Sequence, residues 1–440
     1  MGIKLKKEQK QKEYGENPLR FLYEIVGIHI AVGLAKRLWR IHAKPDKRLA
    51  SLPGPIISIG NHPSYIDPFS MAALFGMRRV NFVAGTFLFR KKFIGNLFRL
   101  VGVIPKIQFR TDSRALRSML RVLQRGGVLG IFPEATRSVD GTESPFDDAL
   151  ARLIKKTNST IVLMRTHGAY STWPRWTTSG RRPGYVESYI HQIILAEQVS
   201  EMTPEQIHQL LRTTLAYNEY DWLREHPHTY RSKKITAGTE NIAYMCPACM
   251  TENQMKSEKN ALFCGHCGNR AQMDASGFYH PAGEKDRVFP DLHQWVMWEK
   301  EQKMQQFLQQ KNEKEMEAWL LRLDEEENFR LVGKGTLQVK ADTIVFKGTA
   351  CTMKEGILWK SKWKKKIHTL TDLPEEIRAN QKDVHDVFSI PKIRGMVASY
   401  GKHFELIEAG GQTNRFLLLN GQAVLSVQHG VQVRKDALAE

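Results

Sequence analysis

PIISIGNHPSYIDP, residues 55–68, is the stretch on which the fold turns, and it also holds the first chemistry-bearing side chains. Ile56, Ile57 and Ile59 form a short β-branched run, the texture of a strand buried on both faces. Pro63 and Pro68 then favour a loop over continuous helix. Within that loop stand His62 and Asp67, which on one helix would point about 140° apart, so cooperation between them requires the loop. A carboxylate that holds an imidazole fixes its tautomer and stabilises the imidazolium, which makes a hydroxyl nucleophilic near neutral pH. His-x4-Asp alone is common by chance, and a capping aspartate beside a histidine is the plain alternative.

Working outward, the apolar runs RVNFVAG (79–85), GVIPKI (102–107), VLGIF (128–132) and STIVLM (159–164) alternate with helix-like segments at 67–76, 87–100, 112–125 and 146–156. That alternation predicts an α/β domain with a mostly parallel sheet flanked by helices. Asp112 is placed to N-cap the helix carrying Leu116, Met119, Leu120 and Leu123. Ligands of such sheets collect at the carboxyl ends of strands. There the sequence puts FPEATRS, residues 132–138, after one strand and Arg110 after another. Glu134 and Arg137, three apart at a turn, can share a face. Arg137 suits a pair of phosphate oxygens, and Glu134 suits a substrate hydroxyl or a neighbouring arginine. Two arginines at one strand-end cleft indicate an anion, whereas either alone reads as a surface ion pair.

NHPSYID, VIPKIQFR and FPEATRS, in this order and spacing, resemble motifs I, II and III of the lysophosphatidic acid acyltransferase family over about residues 55 to 220. The resemblance implies a glycerolipid acyltransferase-like fold in which His62 is the general base and Asp67 its partner. It further implies that Arg110, Glu134, Thr136 and Arg137 bind the glycerol phosphate of a lysophospholipid acceptor, with acyl-CoA or acyl-acyl carrier protein as donor. Glycerol 3-phosphate or another lysophospholipid is the alternative acceptor. Two departures stand out. The family usually has glycine where this chain has Ala135, and a β-carbon there requires a negative φ or an adjusted site. The proline that centres the fourth motif is missing from IVLMRTHGAY (161–170), so the acyl-pocket shape does not carry over; His167 in that stretch reads as a structural histidine.

The 440 residues exceed one ordinary core and predict several domains. We expect 1–47 to form basic amphipathic membrane-association helices, 48–240 the acyltransferase domain, 241–285 a zinc ribbon, 286–325 a connector helix and 326–440 a β-rich module. The ribbon rests on CPAC at 246–249 and CGHC at 264–267. Cys246, Cys249, Cys264 and Cys267 in this spacing would hold a structural zinc ion, with redox dithiols or an iron–sulfur cluster as alternatives. His266 reads as a bystander, and Cys351 stands apart. Trp295, Met304, Phe307, Leu308, Trp319 and Leu323 suggest one long helix started by Asp291, and several strands with a terminal helix suggest a pleckstrin-homology-like tail.

A formal net charge of +19 makes a polyanion the expected partner. An anionic membrane surface is preferred to nucleic acid, with a scaffold built on a degenerate acyltransferase domain as a further alternative. The basic start lacks an apolar core or cleavage site directly after it, so no secretory signal is expected. Cysteines in C-x-x-C pairs point to a reducing compartment, hence the cytoplasmic face of a membrane, with a peripheral or monotopic attachment. FLYEIVGIHIAVGLA, residues 21–35, is too short and too polar to span, and reads either as an interfacial helix or as one packed on its own domain. FLFRKKFIGNLFRLVG, residues 87–102, has more apolar residues than one buried stripe needs. Part of it is expected to meet lipid or line an acyl groove, with plain core packing as the alternative. WKSKWKKK, 359–366, suits an anionic interface, nucleic acid or a solvated loop.

Overall fold

The computed structural model describes residues 27, 29–90, 92–309, 314–324, 328–353 and 377–438. Most of the 21–35 segment and all of 359–366 therefore lie outside the described residues. The chain divides into two compact units. The first comprises residues 1–138, 142–173 and 183–222, and the second 139–141, 174–182 and 223–440.

The first unit is built on seven strands: β1 (Ile41–His42), β2 (Ile56–Gly60), β3 (Val80–Gly85), β4 (Ile104–Lys106), β5 (Val128–Ile131), β6 (Thr160–His167) and β7 (Val186–Ile194). Their order is β1-β7-β6-β2-β5-β3-β4. All neighbours run parallel except β6 and β7, as the alternating sequence pattern predicts. Every residue of β2 is buried, because the strand lies between β5 and β6 with both faces covered. Ile56 packs with Met71, Leu74 and Val80 on one face. Ile57 and Ile59 pack with Met119, Val122 and Ile154 on the other. Asp112 caps the helix Ser113–Gln124 through Ala115 N–H at 2.9 Å. Its second oxygen accepts from Ile107 N–H at 3.0 Å, which ties down the loop leading to Arg110.

In the second unit β8 (Met255–Glu258), β9 (Ala261–Cys264), β10 (Arg270–Met273) and β11 (Tyr279–Pro281) form an antiparallel sheet in the region of the expected ribbon. The helix begun by Asp291 runs only from Leu292 to Leu308. The expectation of one helix over 286–325 is corrected here, since Met316–Leu323 is a strand, β12. The four-residue spacing of Trp319 and Leu323 imitates a helical stripe. In fact Ala318 to Leu321 are all fully buried, because β12 lies in the middle of a sheet and pairs on both edges. With β13 (Phe329–Val339), β14 (Thr343–Met353), β15 (Ile377–Ser389), β16 (Ile393–Ser399), β17 (His403–Glu408) and β18 (Thr413–Leu418) it forms a seven-stranded sheet ordered β15-β14-β13-β12-β18-β17-β16. A helix, Ala423–Ala437, follows, which agrees with the expected strand-rich tail closed by a helix.

Candidate active site

β2 ends at Gly60 and the chain turns through a non-helical loop before the helix Asp67–Phe75 begins. This loop achieves what a continuous helix would forbid: His62 Nδ1 lies 2.7 Å from Asp67 Oδ2. The same oxygen accepts from Ser64 N–H at 2.9 Å. An ionised carboxylate only accepts, so Nδ1 carries the proton and the ring's lone pair is on Nε2. The imidazole stacks on Phe132, with centroids 4.6 Å apart, and remains 19% exposed, whereas Asp67 is fully buried. Burial raises the Asp67 carboxyl well above its ordinary value, opposed by the Ser64 amide and the positive charge of Arg137. The carboxylate fixes the ring's tautomer and is placed to stabilise the imidazolium formed when Nε2 takes a proton.

Glu134 is 4% exposed, and its carboxylate faces backbone donors. Oε1 accepts from His62 N–H at 2.8 Å and Oε2 from Ser144 N–H at 2.9 Å. Each oxygen accepts from a backbone donor, which ties the turn carrying Glu134 to the loop carrying His62. Burial pushes its carboxyl up to about 8, against the lowering effect of the Ser144 and His62 amides. Glu134→Gln keeps the size but turns an amide NH2 towards one of the two N–H donors. Leaving a buried donor unsatisfied costs about 1–3 kcal/mol, so the variant is expected to lose that much stability in denaturant unfolding. It is also expected to be markedly less active than wild type.

Two further bonds draw the three signature segments together. Ser138 N–H donates to the His62 carbonyl at 3.0 Å. Gln108 Nε2 donates to the Ala135 carbonyl at 2.6 Å, so the loop bearing Arg110 is fastened to the turn bearing Thr136 and Arg137. Arg110, Thr136 and Arg137 are all half-buried. The Arg137 guanidinium lies over the Tyr65 ring, 3.3 Å from its centroid, and its field reaches Asp67. The turn itself is strained: Ala135 has φ +57°, the left-handed region, so the negative φ that would make its β-carbon comfortable is not found. Left-handed backbone costs an L-residue about 1–2 kcal/mol. Ala135→Gly is therefore expected to raise the unfolding free energy by up to about 1 kcal/mol, read as a higher denaturant midpoint.

Asn61, Ser64, Gln108 and Phe132 escaped the sequence reading, although all lie in the motif segments. Asn61 Oδ1 accepts from Thr166 N–H at 2.9 Å and its Nδ2 donates to the Thr166 carbonyl at 2.8 Å, which extends the β2–β6 pairing past the last strand residue. Their signal was present as polar or aromatic residues at strand ends, but their partners are distant in sequence. His167, by contrast, stacks on Trp222 with centroids 5.0 Å apart, in keeping with a structural histidine.

In the second unit the Sγ atoms of Cys246, Cys249, Cys264 and Cys267 all lie within 4.8 Å of one another. Two of the separations are 3.7 Å (Cys246 to Cys267) and 3.8 Å (Cys249 to Cys264). A tetrahedral ion with metal–sulfur bonds of about 2.3 Å requires edges of about 3.8 Å, so this cluster has the dimensions of such a site. His266 is exposed and contributes only a backbone N–H, to Cys264 Sγ at 3.4 Å.

Comparison with known proteins gives a consistent family. The Acyltransferase family model matches residues 42–165. The chloroplastic 1-acyl-sn-glycerol-3-phosphate acyltransferase of Brassica napus is 25% identical over 161 residues, covering 36% of this chain and 46% of that protein. Its counterpart from Arabidopsis thaliana is 25% identical over 158 residues, 36% of this chain and 44% of that protein. The chain spans about half the length of these relatives. The crystal structure of the 1-acyl-sn-glycerophosphate (LPA) acyltransferase from Thermotoga maritima aligns at 20% identity and a TM-score of 0.36, covering 42% of this chain and 74% of that one. Residues 42–165, which match the Acyltransferase family model, hold the His62–Asp67 pair and the turn that braces it.

Proposed function

We propose that this protein transfers a fatty acyl group from the thioester of acyl-CoA or acyl-acyl carrier protein to the free hydroxyl of 1-acylglycerol 3-phosphate, at the cytoplasmic face of a membrane. The observation that carries the reading is the His62–Asp67 contact of 2.7 Å, in a loop held by Glu134 and Ser138. His62 Nε2 takes the proton as the acceptor oxygen attacks the thioester carbonyl. The tetrahedral intermediate then collapses, the C–S bond breaks, and the proton leaves with the thiol. Asp67 stabilises the transient imidazolium. Such general-base assistance contributes about 10²- to 10⁴-fold, and holding both substrates together adds to it. Arg110 and Arg137 are assigned to the acceptor's phosphate, with Thr136 beside them, while Glu134 acts only through the backbone.

In the second unit a structural zinc ion is assigned to the four cysteines. Four thiolates close the coordination sphere and leave no open position for catalysis, so the metal would stabilise the fold and take no part in transfer. Following a labelled acyl chain onto 1-acylglycerol 3-phosphate, glycerol 3-phosphate and other lysophospholipids tests the reading. Preference for the first is expected. Transfer to glycerol 3-phosphate alone would move the assignment to that acceptor, and transfer to none would leave a scaffold.

A further inference from the structure

The helix Lys92–Leu100 presents Phe93, Leu97 and Leu100 at 82%, 39% and 48% exposure. Their spacing of four and three places them on one face, within an arc of about 60°. Phe93 is the most exposed large apolar side chain among the described residues, and Phe87, in the 3₁₀ turn before the helix, is 48% exposed. Arg99 flanks the stripe, exposed and bonded to Asn96 Oδ1 at 3.1 Å. The position of this face follows from the sheet. β2, β3 and β5 run parallel, so the chain leaving β3 at Gly85 emerges at the sheet end where the His62 loop and the Glu134 turn also emerge.

The stretch of chain that contains this helix is lopsided in charge. Residues 33–133 contain eighteen lysines and arginines against three carboxylates, a surplus of fifteen out of the chain's nineteen. All three acids are in internal use. Asp46 caps a short helix and pairs with Arg48, Asp67 is buried on His62, and Asp112 holds Ala115 and Ile107. A second copy of this surface would bring a like charge, and nucleic acid would answer the charge without covering a Phe and two Leu. An anionic lipid bilayer answers both.

We infer that the Phe93–Leu97–Leu100 face inserts into an anionic bilayer and sets the active-site end of the sheet against it. The inference deepens the acyltransferase reading and rests on it for why lipid should approach that end, but insertion itself needs no turnover. The test is co-sedimentation of the full chain with phosphatidylcholine vesicles, with and without phosphatidylserine, comparing wild type with Phe93→Gln/Leu97→Gln. Both positions are solvent-facing, so the unfolding midpoint is expected to stay unchanged. Binding to phosphatidylserine vesicles is expected to weaken by about 10- to 100-fold, the loss expected from withholding two apolar side chains, and binding to pure phosphatidylcholine to be weak for both proteins. Equal binding of variant and wild type would overturn the inference. So would a variant that loses only self-association, or only RNA binding. A wild type that binds these vesicles yet transfers no acyl group would overturn the acyltransferase reading and leave the inserted face standing.

Discussion

Asp67→Asn is expected to lower acyl transfer by about 10²- to 10⁴-fold while leaving the protein folded. Asp67 Oδ2 takes both the His62 Nδ1 proton and the Ser64 N–H, so an asparagine in the same rotamer can present its carbonyl oxygen to the two donors. The loop geometry is therefore retained. What disappears is the negative charge, buried and held against the imidazole, that stabilises His62 once it has taken the acceptor's proton. The asparagine NH2 would sit where Asp67 Oδ1 has no hydrogen-bond partner, adding a modest stability cost. Steady-state transfer rates together with denaturant unfolding separate the two effects. A large loss of rate with a small loss of stability is the expected pattern, whereas a rate within a few fold of wild type would remove the charge from the mechanism.

The second large effect concerns the cysteine cluster. Cys246→Ser/Cys249→Ser, or stripping with a strong chelator, is expected to unfold the ribbon. Structural zinc contributes on the order of 10 kcal/mol to the folding of isolated zinc-finger peptides. Here the neighbouring Tyr244, Met245 and Met255 are fully buried, and Trp295 Nε1 donates to the Met245 carbonyl at 3.0 Å, so the disturbance should spread to the helix Leu292–Leu308. Elemental analysis should find one zinc ion per chain, and limited proteolysis should cut near residues 246–267 only after stripping. A purified protein without metal whose unfolding is indifferent to chelator would dismiss the zinc assignment.

Sequence reading captured the parts of this fold whose cause is local. β2 to β6 are each built on a short apolar run, and Asp112 and Asp291 are caps whose partners lie three residues away. The His62–Asp67 pair was legible for the same reason, with two prolines and five positions defining it. The backbone partner of Glu134 was not legible, because it is the amide of a residue 72 positions earlier, brought near only when Ile56 pairs with Val128. Nothing in FPEATRS distinguishes a carboxylate facing substrate from one facing a backbone. β12 was misread because a strand buried on both faces loses the alternation that identifies strands. β15, with IRANQKDVHDVFS, fails in the opposite way, since at the edge of its sheet it needs few apolar residues.

The strain at Ala135 joins these levels. A glycine would relieve it, yet the Gln108 bond to the Ala135 carbonyl shows the turn fastened in its left-handed form. The chemistry therefore depends on a loop that Glu134 and Ser138 hold from within.

The measurement that bears most directly on that chemistry is the formation of labelled diacylglycerol phosphate from an acyl thioester and 1-acylglycerol 3-phosphate, for wild type and His62→Ala in the same vesicles. Wild type is predicted to form the product and His62→Ala to form it about 10²- to 10⁴-fold more slowly, while still folded in denaturant unfolding. Equal rates for the two proteins, or no product from wild type with any glycerol phosphate acceptor, would contradict the account.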